Sequence, residues 1–181
     1  GAFYGPKIDL MVLDPLGRPW QMTTIQFDFN LPERFNMTFV DRDGSQKRPF
    51  MVHRALHGSI ERFLGVLIEH FAGSFPVWLS PVQIVILSVN DQVNEYSKTI
   101  SKVLKQAGFR VQVDLSDNRI GAKIRTAQGQ KTPFMIILGP KEVAENTVSI
   151  RSRTGEQNNS IELNEALNIF NDSISNSPFN D

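Results

Sequence analysis

The feature that most restricts the fold is a change of hydrophobic period partway along the chain. From about residue 80, short apolar runs alternate with stretches whose apolar residues recur every three to four positions. Val82 to Leu87 reads as a buried strand. Val93 to Ala107 sets Tyr96, Ile100, Val103 and Leu104 on one side of a helix that Gly108 closes. Phe109 to Leu115 is the next strand, and Asp117 or Asn118 is placed to cap a short helix reaching about Arg125. Pro133 to Leu138 and Thr147 to Arg151 are further strands, and Leu163 to Ile174 is a last helix, apolar at Leu163, Ala166, Leu167 and Phe170. The order βαβαββα predicts helices packed on a small mixed sheet, an α/β arrangement.

The earlier residues follow another rule. Ile8 to Leu13 is an apolar run ending at the turn residues Asp14-Pro15-Leu16-Gly17, and Trp20 to Phe29 is a long strand of β-branched and aromatic residues. Asp41 to Gly44 is another turn and Pro49 to Ala55 another strand, so antiparallel neighbours are predicted. Ile60, Phe63, Leu64, Leu67 and Phe71 then form one helical stripe, with Ser59 as N-cap and Gly73 as stop. The segment Pro76 to Pro81 reads as a short, stiff connector. The predicted organisation is a domain over 1–75, the connector 76–81, a second domain over 82–175 and a frayed tail over 176–181. The class is α+β in the first part and α/β in the second.

The chain has 181 residues, with 19 Lys+Arg balanced by 19 Asp+Glu. Zero net charge excludes a polycation and confines any nucleic-acid contact to a local patch. With no cysteine, disulfides and thiolate metal sites are excluded from this chain. There is no apolar run of membrane-spanning length, and residues 1–7 do not resemble a signal peptide. The opening at Gly1 points to a start inside a longer protein.

Chemistry concentrates in two places. His53 ends a predicted strand, and Ser59 and Arg62 open the helix that follows. Arg grips polyphosphates, and helix N-termini favour anions. A surface ion pair for Arg62 and a structural His53 fit the same spacing. Gln21 and Gln26 are five apart on one strand, which sets them on opposite faces unless a bulge intervenes. Tyr4 to Lys7 is a polar turn. In the second half, Ser116 to Thr132 carries Arg119, Lys123, Arg125 and Lys131 against Asp117 alone. With Arg151 and Arg153 this segment could bind a phosphate backbone, though a solvated helix face is the plainer reading. His53, His57 and His70 do not have metal-site spacing.

The segments Gly1 to Asp9, Trp20-Gln21, Thr24 to Pro32, His53 to Ala55 and Gly58 to Phe63, with Pro76-x-Trp78-Leu79-x-Pro81-x-Gln83 and Ile120-Gly121-x-Lys123-Ile124-Arg125, closely resemble the threonyl-tRNA synthetases. The resemblance covers essentially the whole chain. It implies the C-terminal part of a class II catalytic domain, an antiparallel sheet ending in motif 3, followed by an anticodon-binding domain. It implies a role for Arg62 against the adenine and phosphates of ATP, and for Gln21 and Gln26 in the reaction pocket. Tyr4, Lys7 and Ser59 fall at or beside positions lining the threonine and adenylate pocket, and His53 at a ligand of zinc. That zinc holds the amino group and hydroxyl of threonine, and Mg²⁺ accompanies ATP. Asp117, Arg125, Lys131, Glu142 and Arg151 fall at or near anticodon-contacting positions. Asp117 stands where Asn is usual and Lys131 where Arg is common.

The implied activity is ATP-dependent ligation of threonine to its tRNA through an adenylate, in a cytoplasmic homodimer with no membrane or DNA partner. Motifs 1 and 2 and two further zinc ligands are not in these residues, so the chain by itself is expected to be inactive. A non-catalytic tRNA-binding module and a regulatory RNA-binding paralogue are the alternative readings.

Overall fold

The computed structural model describes residues 4–175 and divides the chain into two compact units, Gly1–Ala72 and Gly73–Asp181. In the first, β1 (Lys7–Leu13), β2 (Pro19–Asp28) and β5 (Met51–Ala55) form an antiparallel sheet with β2 in the centre. A short hairpin, β3 (Phe39–Val40) with β4 (Gln46–Lys47), lies between β2 and β5 in sequence and turns at Asp41–Gly44. Helix α1 (Asn30–Arg34) follows β2, and α2 (Ile60–His70) follows β5. Ser59 caps α2, its Oγ accepting from the Arg62 amide at 3.2 Å.

The turn between β1 and β2 is organised by Asp14. Its carboxylate accepts from the amides of Leu16 and Arg18, the Arg18 guanidinium and the Trp20 indole N–H. Burial alone would raise the Asp14 pKa. The hydrogen bonds from Trp20 and Arg18 outweigh it and hold the group at about 2.

The second unit is a five-stranded mixed sheet in the order β10-β9-β8-β6-β7. β6 (Ile84–Ser88) runs parallel to β7 (Val111–Asp114) and β8 (Phe134–Leu138), while β9 (Val148–Ser152) and β10 (Gln157–Ile161) are antiparallel additions. Helices α3 (Asn94–Gln106) and α6 (Leu163–Ser175) cover one face, around Ile84, Ile86, Phe134, Ile136, Leu138, Val148 and Ile150. Helix α4 (Ile120–Gly129) covers Val85, Leu87 and Met135 on the other. A six-residue helix, α5 (Pro140–Glu145), joins β8 to β9. Successive strand residues point to opposite faces, so the five consecutive buried residues of β6 serve both layers. No helix among the described residues is long and apolar enough to cross a membrane.

Residues 76–81 are held by the second unit. Arg110 donates to the carbonyls of Ser80 (2.9 Å) and Trp78 (2.7 Å), and Gln83 donates to that of Val77 (3.0 Å). Arg153, read from sequence as a phosphate ligand, instead donates to the Phe75 carbonyl at 2.6 Å.

The helix predicted to end near Arg125 continues to Gly129. It is not capped by Asp117 or Asn118: its N-cap is Arg119, with no side-chain cap, and Asn118 bonds Ser116 instead. Elements α1, α5, β10 and the strands β3 and β4 were not predicted, although the turn between β3 and β4 at Asp41–Gly44 was. The frayed tail predicted over 176–181 lies outside the described residues.

Candidate functional site

The polar face of the first sheet arises from one irregularity. β1 and β2 pair Leu10 with Thr23 but Met11 with Gln21, so Met22 is an extra residue on β2. This bulge shifts the alternation, and Gln21 joins the face that carries Thr24 and Gln26. The five-residue spacing, which would otherwise separate the two glutamines, therefore unites them. Lys7 and His53 flank Gln26 in the ladder, one from each neighbouring strand, and Asp9 pairs with Thr24. One face thus presents Lys7, Asp9, Gln21, Thr24, Gln26 and His53.

These groups are connected. Asp9 accepts from Gln21 at 2.8 Å and Thr24 at 2.7 Å, and forms an ion pair with Lys7 at 2.6 Å. The Lys7 ammonium, then the Thr24 hydroxyl, hold the Asp9 carboxyl below its ordinary range. His53 Nε2 lies 2.7 Å from Asp28 Oδ2, and Asp28 also accepts from the amides of Asn30 and Leu31. Burial opposes ionisation of Asp28, but the bonds from His53 and then from Leu31 and Asn30 prevail and keep its pKa low. An imidazole held this way through one nitrogen can offer the other to a metal. Asp28 was absent from the sequence reading, because its partner lies 25 residues away on another strand.

Arg62 stands on the α2 side of the sheet. Its guanidinium lies 5.9 Å from the Trp20 ring centroid and donates to the Gln21 carbonyl at 3.0 Å. Gly58 permits this approach: its φ is +63°, and a Cβ there would lie 3.2 Å from the carbonyl oxygens of Gln21 and Met22. Tyr4 enters beside β2, its carbonyl accepting from the Phe29 amide. Gly5 crosses so close to Phe27 that a Cβ would lie 2.3 Å from the Phe27 carbonyl oxygen. Ser59 is the helix cap, and its hydroxyl proton remains available to donate. His57 stacks on Phe63 and His70 meets Phe71 edge-on, so neither joins His53. Among the described residues no three His, Cys, Asp or Glu side chains gather as a metal site.

In the second unit Asp117 and Arg125 are exposed, in the loop before α4 and on its surface. Lys131 follows the C-terminal end of α4, so a ten-residue helix about 15 Å long separates it from Asp117. Glu142, in the first turn of α5, accepts from the Gly139 amide at 2.9 Å and the Ser149 hydroxyl at 2.7 Å. Arg151 pairs with Met135 on the α4 face of the sheet, and its Nε is buried without a hydrogen-bond partner. Lys123, read as part of an exposed basic stretch, is 3% exposed and points inward. The exposed basic residues of that stretch are Arg119, Arg125 and Lys131.

Comparison with known proteins agrees with this division. Residues 83–173 match the anticodon binding domain model, and residues 1–71 match the tRNA synthetase class II core domain of the G, H, P, S and T enzymes. A threonine–tRNA ligase of Borrelia garinii subsp. bavariensis is 59% identical over 94% of the chain, and one of Borrelia turicatae is 56% identical over 97%. The chain spans 29% and 30% of those relatives. The RNA binding domain of threonyl-tRNA synthetase from Cryptosporidium parvum superposes with a TM-score of 0.83 at 40% identity, covering 96% of this chain and 44% of that one. The resemblance to threonyl-tRNA synthetases read from the sequence is borne out over nearly the whole chain. Through residues 83–173 the chain belongs to the anticodon binding domain family, with a segment of the class II tRNA synthetase core before it over residues 1–71.

Proposed function

We propose that this chain serves the ATP-dependent ligation of threonine to its tRNA, the second unit binding the anticodon and the first supplying part of the activation pocket. The observation that carries the tRNA assignment is the match of residues 83–173 to the anticodon binding domain, together with the exposed cations Arg119, Arg125 and Lys131 before, on and after α4. Arg151, on the sheet face shared with α4, is proposed as a further contact. Asp117 lies in the loop before α4, Arg125 on that helix and Lys131 just after it, and Glu142 lies at the start of α5.

The polar face of the first unit supports the activation role. Threonine carries an ammonium, a carboxylate and a hydroxyl, and a surface of Gln21, Gln26 and Lys7, with Tyr4 entering beside β2, is proposed to offer donors and acceptors to all three. Such a site rejects a ligand lacking the hydroxyl far better than an apolar pocket does. Carboxylate attack on the α-phosphate gives threonyl-adenylate and pyrophosphate, and the terminal ribose hydroxyl of the tRNA then takes the threonyl group and releases AMP. Arg62 serves the nucleotide, Ser59 donates from the start of α2, and Mg²⁺ enters with ATP. His53, oriented by Asp28, fits one ligand of a zinc ion, which when bound would hold the threonine amino and hydroxyl groups. These residues contribute position and charge rather than proton transfer.

The test is binding of the 181-residue chain to threonine tRNA and to a copy with a changed anticodon, at two salt concentrations. Preference for the native anticodon at both salts is the expected result. Equal binding governed by salt alone would reduce the second unit to an electrostatic patch.

A further inference from the structure

We propose that Lys123 is the positioning residue of the anticodon-reading face: its buried ammonium sets where the loop 115–119 and the outer side of α4 stand on the sheet. The inference rests on the anticodon role proposed above. Lysine is almost never fully buried unless paired, yet Lys123 is 3% exposed. Its Nζ donates to the Ser88 carbonyl at 2.8 Å, the Ser88 hydroxyl at 3.2 Å and the Asp114 carbonyl at 3.3 Å. The Asp114 carboxylate stands 3.9 Å away. All three ammonium protons therefore have acceptors.

The acceptors occupy a special place. Ser88 is the last residue of β6 and Asp114 the last of β7, and Ser88 Oγ itself donates to the Asp114 carbonyl at 3.2 Å. One side chain from α4 thus fastens the ends of two parallel strands. Apolar packing of α4 through Ala127 on Val85 and Leu87 does not by itself fill the β7 side, where a cleft of about 170 Å³ lies between α4 and β7, bordered also by Gln112, Thr126 and Gln130. Nor does a side-chain cap fix the start of α4. The loop leaves β7 through Asp114, whose carboxylate accepts from the Ser116 amide at 3.0 Å. Asp114 therefore anchors both the loop and Lys123. Asp117 and Arg119 follow on the loop, and Arg125 projects two residues beyond Lys123. A well-packed apolar residue often serves stability as well as a buried charge does. What the ammonium adds is directional bonding at one defined height along the strands.

The experiment uses the whole chain with a threonine tRNA anticodon stem–loop, native and anticodon-changed, at two salt concentrations. Lys123→Met is expected to lower the native-to-changed affinity ratio at least tenfold and leave the salt slope unchanged, because the buried ammonium meets no phosphate. Arg125→Ala should instead lower the slope by about 0.7–0.9. Ser88→Ala removes one acceptor and should give a smaller loss of discrimination. It also decides the matter if Lys123→Met fails to show a native near-ultraviolet circular dichroism spectrum. An unchanged ratio in the folded variants, or a reduced slope in Lys123→Met, overturns the proposal while leaving anticodon binding intact. Absence of any preference in the unaltered chain overturns the anticodon reading and this inference with it.

Discussion

Helices α2 and α6 are both amphipathic and of similar length, yet they meet different fates. α6 buries Ala166 and Phe170 completely, and the Phe170 ring packs on Phe109 and Phe134. α2 buries none of its residues, and Ile60, Leu64 and Ile68 are 73%, 46% and 50% exposed. The same contrast runs through the two units. Among the described residues only Met22 and Pro32 are buried apolar side chains of the first unit, whereas β6, β8 and β9 supply a continuous core to the second. In the first unit α2 covers the sheet near Val12 and Thr23, leaving Ile8, Leu10, Ile25 and Val52 open to solvent. An apolar period marks a surface suited to burial, and whether it is buried depends on what packs against it.

The largest expected consequence is all-or-none. Residues 73–181 made alone should unfold cooperatively in urea, and residues 1–72 made alone should not. A cooperative transition of the shorter piece would break the comparison. Next in size, Phe170→Ala should destabilise the second unit by about 3–5 kcal/mol, as removal of a buried aromatic ring does. Ile60→Ala, at an exposed position, should change stability by less than about 0.5 kcal/mol. Urea titration of the full chain measures both, and a large loss at Ile60 would show that α2 is covered in solution.

The smallest effect concerns acid. Asp14 titrates near 2 in the folded chain and about 3.9 when unfolded, so its stabilisation is complete above about pH 4 and is lost as pH falls towards 2. Trp20 donates to that carboxylate, so its fluorescence in a Trp78→Phe background should change over this window. Asp14→Asn should remove the step, and a step of equal size in that variant would assign the titration elsewhere.

The second unit was largely legible because its strands are continuous apolar runs and its helices have clear periods. Its misses have local causes. β10 is Gln-Asn-Asn-Ser-Ile, a polar edge strand that resembles a loop. α5 did carry a signal, Pro140 at its start and Glu142 placed to cap Gly139, but six residues are too few for a period. Asp117 was assigned the cap through residue preference, whereas the chain reaches helical geometry two residues later. In the site, the ladder neighbours of Gln26 depend on register, which composition does not encode. The link from His53 to Asp28 crosses strands, and the inward turn of Lys123 opposes the usual behaviour of lysine. The stripe on α2 was read correctly as apolar, but burial required a cover that these residues do not provide.

The bulge at Met22 has a consequence for reading any sequence aligned to this one. It acts as a phase shift in β2: odd-numbered residues before it and even-numbered residues after it serve the same side. A one-residue deletion there would leave composition nearly untouched and exchange the duties of Trp20 and Gln21, turning the indole to the polar side and the amide towards α2. Position 22 is therefore constrained as a spacer as well as by the burial of its side chain. Two sequences matching at every named polar residue, but differing in length by one between Gln21 and Thr24, would not present the same surface.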